Sequence, residues 1–115
     1  MATFKVFQIQ LTDSEIDQIN AAGDHFAVPK NKVRMGLQFN DEPQELVNEG
    51  FEKGYFDHVS NIIADSLEGV FHVGNVGPEA SIERLAPMHS VSVGDVIEDE
   101  NGDRHMVASF GFTQV

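Results

Sequence analysis

A cluster of five carboxylates near the C-terminal end of the chain could bind a metal ion. Its members are Asp95, Glu98, Asp99, Glu100 and Asp103. Asp99, Asn101 and Asp103 match the first three alternate ligand positions of a calcium-binding loop. The match then fails, because Arg104 stands where that loop needs glycine and Phe110 where it needs a bidentate glutamate. The sequence therefore predicts no metal site here, only carboxylates that face water.

The same segment is better explained as a β-hairpin. Asn101 and Gly102 lie between two apolar runs, and Asn-Gly favours a two-residue type I′ turn because both central residues need positive φ. Gly94 predicts a tight turn before the first run, and Asp95 is expected to accept amide hydrogen bonds there. On this interpretation the "SVGDV" stretch is a folding device.

The alternative is that the same stretch lines a recognition surface. Ser90 and Ser92 could satisfy backbone donors, or they could present their hydroxyl groups to a ligand together with Asp95. The turn at the end of the preceding helix would lie beside them. The candidate binding residues are Asn75, His89, Ser90, Ser92 and Asp95.

Local signatures of catalysis are missing from the sequence. The five histidines do not form the H-x-x-x-H or H-E-x-x-H spacing of a helical zinc site, and no serine stands in a G-x-S-x-G elbow. There is no cysteine to act as a nucleophile, and "GNVG" at 74–77 lacks the lysine of a P-loop. We assign no catalytic residue, metal or cofactor from the sequence. A site assembled from distant histidines and carboxylates stays open as the alternative.

The charge balance limits the class of partner. Nineteen acidic residues against seven basic ones give a formal net charge of −12. Such a chain repels the phosphates of nucleic acids and anionic lipids, so direct binding to either is disfavoured. The charge favours a basic protein partner, or it serves only to keep the protein in solution. An inhibitor that imitates DNA would need evenly spaced acids, and Lys30, Lys32 and Arg34 interrupt that pattern.

The apolar pattern predicts a cytoplasmic protein. No run approaches the roughly 18 consecutive apolar residues of a membrane span, and "MATFKVFQIQLTD" lacks the basic and apolar regions of a signal peptide. The absence of cysteine excludes a disulfide framework. The oligomeric state is left open, a homodimer included.

Alternating and helical periodicities predict the elements of the first half. Residues 3–11 alternate as an interior strand, and a helix follows in which Thr12 and Glu15 form a capping box and Gly23 ends the helix. Residues 24–32 are interpreted as a loop and residues 33–39 as a strand. A helix is expected to begin at Pro43 and to end at Gly54.

The second half continues with residues 55–64 as a strand, a helix from Asp65 or Ser66 to Gly74, and a turn with a short helix before Pro87. In the terminal hairpin, Phe110 and Phe112 share a strand face and are expected to pack against the helices. We therefore predict one α+β domain over residues 1–115. It would contain an antiparallel sheet of about four or five strands, with two or three helices mainly on one face.

Residues 55–115 resemble a family of small, uncharacterised proteins encoded by phages and conjugative elements. The family's pattern is a strand with Tyr and Val, a helix like "DSLEGVF" followed by "GN", an "S-x-SVGDV" motif, a hairpin and a terminal "GF". Here these parts are residues 55–64, 65–75, 90–96 and 111–112. Members often carry arginine at the position of His89.

The family has no assigned enzymatic activity. The resemblance therefore implies a non-enzymatic accessory protein of a phage or mobile element, which would bind a host or phage protein. The alternative function is a small hydrolase or metal-dependent enzyme that uses scattered histidines and carboxylates.

Overall fold

The computed structural model describes residues 2–39, 43–109 and 111–115. Within these ranges the chain forms four α-helices, one 3-10 turn and six strands. The strands are β1 (Ala2–Ile9), β2 (Phe56–Ala64), β3 (Ile82–Arg84), β4 (Val96–Glu98), β5 (Arg104–Val107) and β6 (Phe112–Gln114). The helices are α1 (Asp13–Ala22), α2 (Pro29–Gln38), α3 (Pro43–Glu52) and α4 (Leu67–Val76), and the 3-10 turn is Glu79–Ser81.

One antiparallel sheet joins the two ends of the chain. Its strand order is β3-β2-β1-β4-β5-β6. The N-terminal strand β1 lies inside the sheet, paired with β2 on one side and with β4 of the C-terminal hairpin on the other. The α+β class and the antiparallel sheet are confirmed, and the described residues form one more strand and one more helix than the upper expectations of five and three.

Helices pack on both faces of this sheet, which corrects the expectation that they lie mainly on one. Val96 and Ile97 are consecutive in β4, so their side chains point to opposite faces. Ile97 belongs to a buried cluster with Val70 of α4. Val96 belongs to a second cluster with Leu37 of α2 and Val47 of α3. The sheet therefore lies between helices on both sides, because its strands carry apolar side chains on both faces.

Helix α1 begins and ends as predicted. The Thr12 side chain accepts a hydrogen bond from the Glu15 amide, and the Glu15 carboxylate accepts one from the Thr12 amide. Gly23 follows the helix with φ of 64° and donates to the Ile19 carbonyl. The capping box satisfies amides that the first turn of a helix leaves without partners.

The strand predicted over residues 33–39 is wrong, because this stretch belongs to α2. Val33 and Leu37 are buried, and their spacing of four residues fits a helix as well as a strand. Phe39, which would share their strand face, is 75% exposed. Pro29 occupies the first helical position, and a Cβ on Gly36 would lie 2.6 Å from Leu46 Cδ1, so the glycine lets α2 and α3 approach closely.

Helix α4 does not end at Gly74 as predicted. It continues to Val76, and the Gly77 amide donates to the Val73 carbonyl. Gly74 is required for packing instead, since a Cβ there would lie 2.3 Å from Val91 Cγ2. The short helix predicted before Pro87 is only the 3-10 turn, which ends at Ser81 and leads into β3 at the edge of the sheet beside β2.

The terminal hairpin is present, but its turn is one residue longer than predicted. The Gly102 amide donates to the Asp99 carbonyl, and the Asp99 amide donates to the Asp103 carbonyl. The loop therefore contains Glu100, Asn101 and Gly102, and Gly102 has φ of 85°. This is the pattern of a three-residue loop with a glycine bulge. The expectation for Phe110 lies outside the described residues, whereas Phe112 packs against the α4 side of the sheet.

None of the described helices combines the length and apolar character that crossing a membrane requires.

Candidate functional site

The segment 89–95 is attached to the centre of the sheet by one buried glutamine. Gln8 of β1 has 0% exposure. Its Nε2 donates to the His89 carbonyl at 2.9 Å and to Asp95 Oδ2 at 3.1 Å, and its Oε1 accepts from the His89 amide at 3.2 Å. Sequence reasoning missed Gln8. The available signal was a polar residue between Phe7 and Ile9 in a strand with apolar residues on both faces.

Asp95 closes the turn before β4, as predicted. Gly94, with φ of 95°, permits the tight turn, and Asp95 Oδ2 accepts a hydrogen bond from the Ser92 amide at 2.8 Å. Asp95 is only 5% exposed. Burial raises its pKa from the ordinary 3.8 to about 6, although the Ser92 amide, the charge of His89, Gln8 and the charge of Arg34 each act to lower it. Asp95 is therefore an acid whose charge changes near neutral pH.

His89 lies beside Asp95 at the surface. Its Nδ1 is 2.7 Å from the Ser90 carbonyl and 4.0 Å from Asp95 Oδ2. Because a carbonyl can only accept, Nδ1 must carry a proton and donate it to Ser90. The other ring nitrogen, Nε2, accepts when the ring is neutral and donates when the ring is doubly protonated. Ser92 was expected to satisfy a backbone donor, but its hydroxyl donates to the Ser90 carbonyl at 2.8 Å.

These side chains line a cleft of about 340 Å³ between α2 and the segment 89–95. Four of the five candidate binding residues meet there, namely His89, Ser90, Ser92 and Asp95. Arg34 and Gln38 of α2 form the opposite wall, one helical turn apart, and Ile9 of β1 adds an apolar contact. The cleft therefore contains a guanidinium, an imidazole, two hydroxyl groups and a carboxylate.

The fifth candidate, Asn75, is not brought to this cleft. Its Nδ2 donates to the Phe71 carbonyl at 2.8 Å and to the Val91 carbonyl at 3.0 Å. It therefore links the end of α4 to the segment 89–95. A separate cavity of about 270 Å³ is lined by Asn75 together with His89 and Ser90. Whether any of the five residues binds a ligand stays a prediction.

The sequence identifies Arg34 only as one of three neighbouring cations. Its Nη1 donates to Asn31 Oδ1 at 3.3 Å, and no described carboxylate lies within 4.0 Å of it. Most other cations are paired: Lys5 and Arg104 with Glu98, Lys30 with Glu15, Lys53 with Glu49, and Arg84 with Glu79. Arg34 could not be placed from the sequence because its helix was interpreted as a loop and a strand.

The remaining histidines do not converge on the cleft. The His58 ring stacks on Phe7 at 5.0 Å between centroids, and His105 Nε2 donates to Asp99 Oδ2 at 3.1 Å. His25 and His72 are exposed on other elements. Among the described residues, no group of three or more histidines and carboxylates could hold a metal ion.

A second candidate surface is the acidic exterior. Five of the seven basic residues are used in ion pairs with four carboxylates, so most described acids have no basic partner. Exposed examples are Asp13 and Asp17 on α1, Glu45 and Glu52 on α3, and Glu100 and Asp103 in the β4–β5 loop. Pairing inside the molecule therefore does not neutralise its negative field.

Comparison with protein-family models, with curated proteins and with solved structures finds no match for the chain. The resemblance over residues 55–115 therefore stays a prediction. Function has to be argued from the residues of this chain.

Proposed function

We propose that this chain is a small acidic accessory protein of a phage or mobile element, and that it acts by binding a basic protein rather than by catalysis. The observation that carries the proposal is the excess of exposed carboxylates left after the internal ion pairs are counted. The phage or mobile-element part rests on the "S-x-SVGDV" resemblance alone.

Long-range electrostatics explain why such a surface suits a basic protein. A net charge of −12 attracts an oppositely charged partner over about one Debye length and raises the association rate. The same field repels the phosphates of nucleic acids and anionic lipids. Because the acids are spread over α1, α3 and the β4–β5 loop, the attraction does not depend on one contact.

Exposed aromatic side chains supply apolar anchors beside these acids. Phe26 follows Asp24 in the loop between α1 and α2 and is 58% exposed, and Phe39 lies exposed at the end of α2. Interfaces obtain much of their binding energy from a few buried aromatic residues, while charges around them set the rate and the choice of partner. A partner with basic residues around an apolar pocket would match both features.

The test is capture from a bacterial lysate on the immobilised chain, followed by a direct affinity measurement with each purified captured protein. A variant carrying Asp17→Asn, Glu45→Gln and Glu52→Gln removes three exposed charges from α1 and α3. The matched control carries Gln18→Asn, Gln44→Asn and Asn48→Gln, three exposed neutral changes on the same helices. We expect a basic protein whose affinity falls in the charge variant, is unchanged in the control, and falls as salt is raised from about 0.05 M to about 0.5 M.

A captured protein that binds equally at both salt concentrations, or equally to both variants, would contradict an electrostatic partner.

The second candidate function is a small hydrolase, and one observation favours it. Asp95 has a raised pKa in a cleft and stands 4.0 Å from His89, as a general acid or base would. Only one histidine lines this cleft, which is why we place the enzyme second. Hydrolysis of simple ester or phosphoester substrates by the chain, abolished in Asp95→Asn, would reverse this order.

A further inference from the structure

The cleft between α2 and the segment 89–95 contains a positive charge that the described structure does not neutralise by contact. Arg34 has five N–H donors, and one of its nitrogens is used by Asn31. In a chain with nineteen acids and seven bases, a half-buried guanidinium without a described carboxylate within 4.0 Å is unusual. Arg34 lines the cleft together with Asp95, whose pKa its charge acts to lower, but the two side chains are not within ion-pair distance.

We propose that this cleft binds a small oxyanion, a carboxylate or phosphate group, held by Arg34 with the Ser90 hydroxyl and a doubly protonated His89 ring as further donors. The planar guanidinium matches two oxygens of such a group at once. This site is separate from the acidic exterior and does not depend on the proposed protein partner.

The size of the cleft limits the ligand. A volume of about 340 Å³ is near the lower end of the range for small-molecule pockets. Such a cleft holds an oxyanion group with few attached atoms. The network of Gln8, His89 and Asp95 fixes the wall opposite Arg34, so little ordering of the protein is needed when the ligand binds.

Protonation should control the affinity. The titratable and charged groups that line the cleft are Arg34 from α2 and His89 and Asp95 from the segment 89–95. From β1, Ile9 lines the cleft and Gln8 lies behind it, bonded to Asp95, and neither residue titrates. An ionised Asp95 repels an anion, and burial raises its pKa to about 6. Loss of this negative charge makes the oxyanion bind more tightly as the pH falls.

The experiment is a calorimetric and NMR titration of the full chain with inorganic phosphate, sulfate and glycolate. Arg34→Gln removes the guanidinium. Lys32→Gln is the matched control, because Lys32 is an exposed cation two residues away on the same helix and does not line the cleft. We expect Arg34→Gln to weaken binding about ten- to hundredfold and Lys32→Gln to change it about twofold or less.

Sulfate and glycolate keep their charge over the pH range tested, so any change in their affinity with pH comes from protonation of the protein. Their affinity should be about tenfold higher at about pH 5.5 than at about pH 7.5. Asp95→Asn should bind more tightly than the native chain at the higher pH, and its thermal unfolding shows whether it is folded. If Asp95→Asn is unfolded, the comparison of Arg34→Gln with Lys32→Gln alone tests whether the cleft binds the oxyanion.

Binding of both anion classes would assign a general oxyanion site, and binding of one class would assign that class. Equal weakening by Arg34→Gln and Lys32→Gln would overturn the proposal, because it would show diffuse attraction. Affinity that rises with pH, or no binding at millimolar anion, would overturn it as well. None of these outcomes affects lysate capture by the acidic exterior, so the two proposals can fail separately.

Discussion

Replacing Asp95 by Asn should remove a pH dependence of stability that this one carboxylate creates. The asparagine Oδ1 can still accept from the Ser92 amide and from Gln8, so the turn keeps its hydrogen bonds. The substitution removes only the ability of this buried side chain to become charged.

The sign of the effect follows from linkage. Burial raises the folded pKa of Asp95 from the ordinary 3.8 to about 6, so between these values the folded chain keeps the proton while the unfolded chain loses it. Stability from this group is therefore greatest at low pH and falls as the pH rises toward the folded pKa. Above about pH 6 both states are ionised and the contribution is flat. Each tenfold difference in proton affinity corresponds to about 1.4 kcal/mol.

The expected magnitude is about 2 to 3 kcal/mol. This is the amount by which the free energy of unfolding of the native chain should fall relative to Asp95→Asn between about pH 4 and about pH 7. Urea denaturation of both proteins across this range measures the difference, and subtraction cancels the titration of all other acids. Asp17→Asn, an exposed change on α1, is the control and should show no such trend. A native-to-variant difference that stays constant within about 0.5 kcal/mol would refute the argument that Asp95 is buried with a raised pKa.

Two further predictions concern packing in the interior, one in β2 and one in α4. The Ser60 hydroxyl is buried and has no hydrogen-bond partner among the described residues, so Ser60→Ala should raise the free energy of unfolding by about 1 kcal/mol. A loss of stability in urea denaturation would mean that the hydroxyl has a partner. Gly74→Ala should lower stability by about 1 to 3 kcal/mol although alanine favours helices, because the new Cβ would lie 3.1 Å from Val91 Cβ and 2.3 Å from Val91 Cγ2. His72→Ala on the exposed face of α4 is the control, and equal stability of the two variants would contradict the close approach.

Local signals predicted the elements that depend on them. Thr12, Glu15 and Gly23 define α1 through contacts within a few residues, and Gly94 with Asp95 defines the turn before β4 in the same way. Such features can be read from the sequence because both partners of each hydrogen bond stand close together in it.

The wrong sequence predictions fall at positions where a contact with a distant residue determines the local structure. Val33 and Leu37 are four residues apart, a spacing shared by helix and strand, and only their packing with α3 and β4 selects the helix. Gly74 has the residue type of a helix end, yet it serves the packing of Val91, seventeen residues away. For the same reason the sequence predicted only one side of the cleft. The residues of the "SVGDV" side are neighbours in the sequence, whereas Arg34 and Gln8 come close to them only in the folded chain.

The two interpretations of the "SVGDV" segment are not exclusive, and Gln8 shows why. One buried amide binds the His89 backbone and the Asp95 side chain, so the contact that holds the segment on β1 also holds the charged groups of the cleft in place. A substitution such as Gln8→Leu would therefore loosen the segment from β1 and disorganise the cleft together, because it leaves the His89 amide and carbonyl without their buried partner and Asp95 Oδ2 with only the Ser92 amide. Asp95 both caps a turn and carries a proton whose loss is opposed by burial. Asp95 thus shapes the segment and also carries the charge that would interact with a ligand in the cleft.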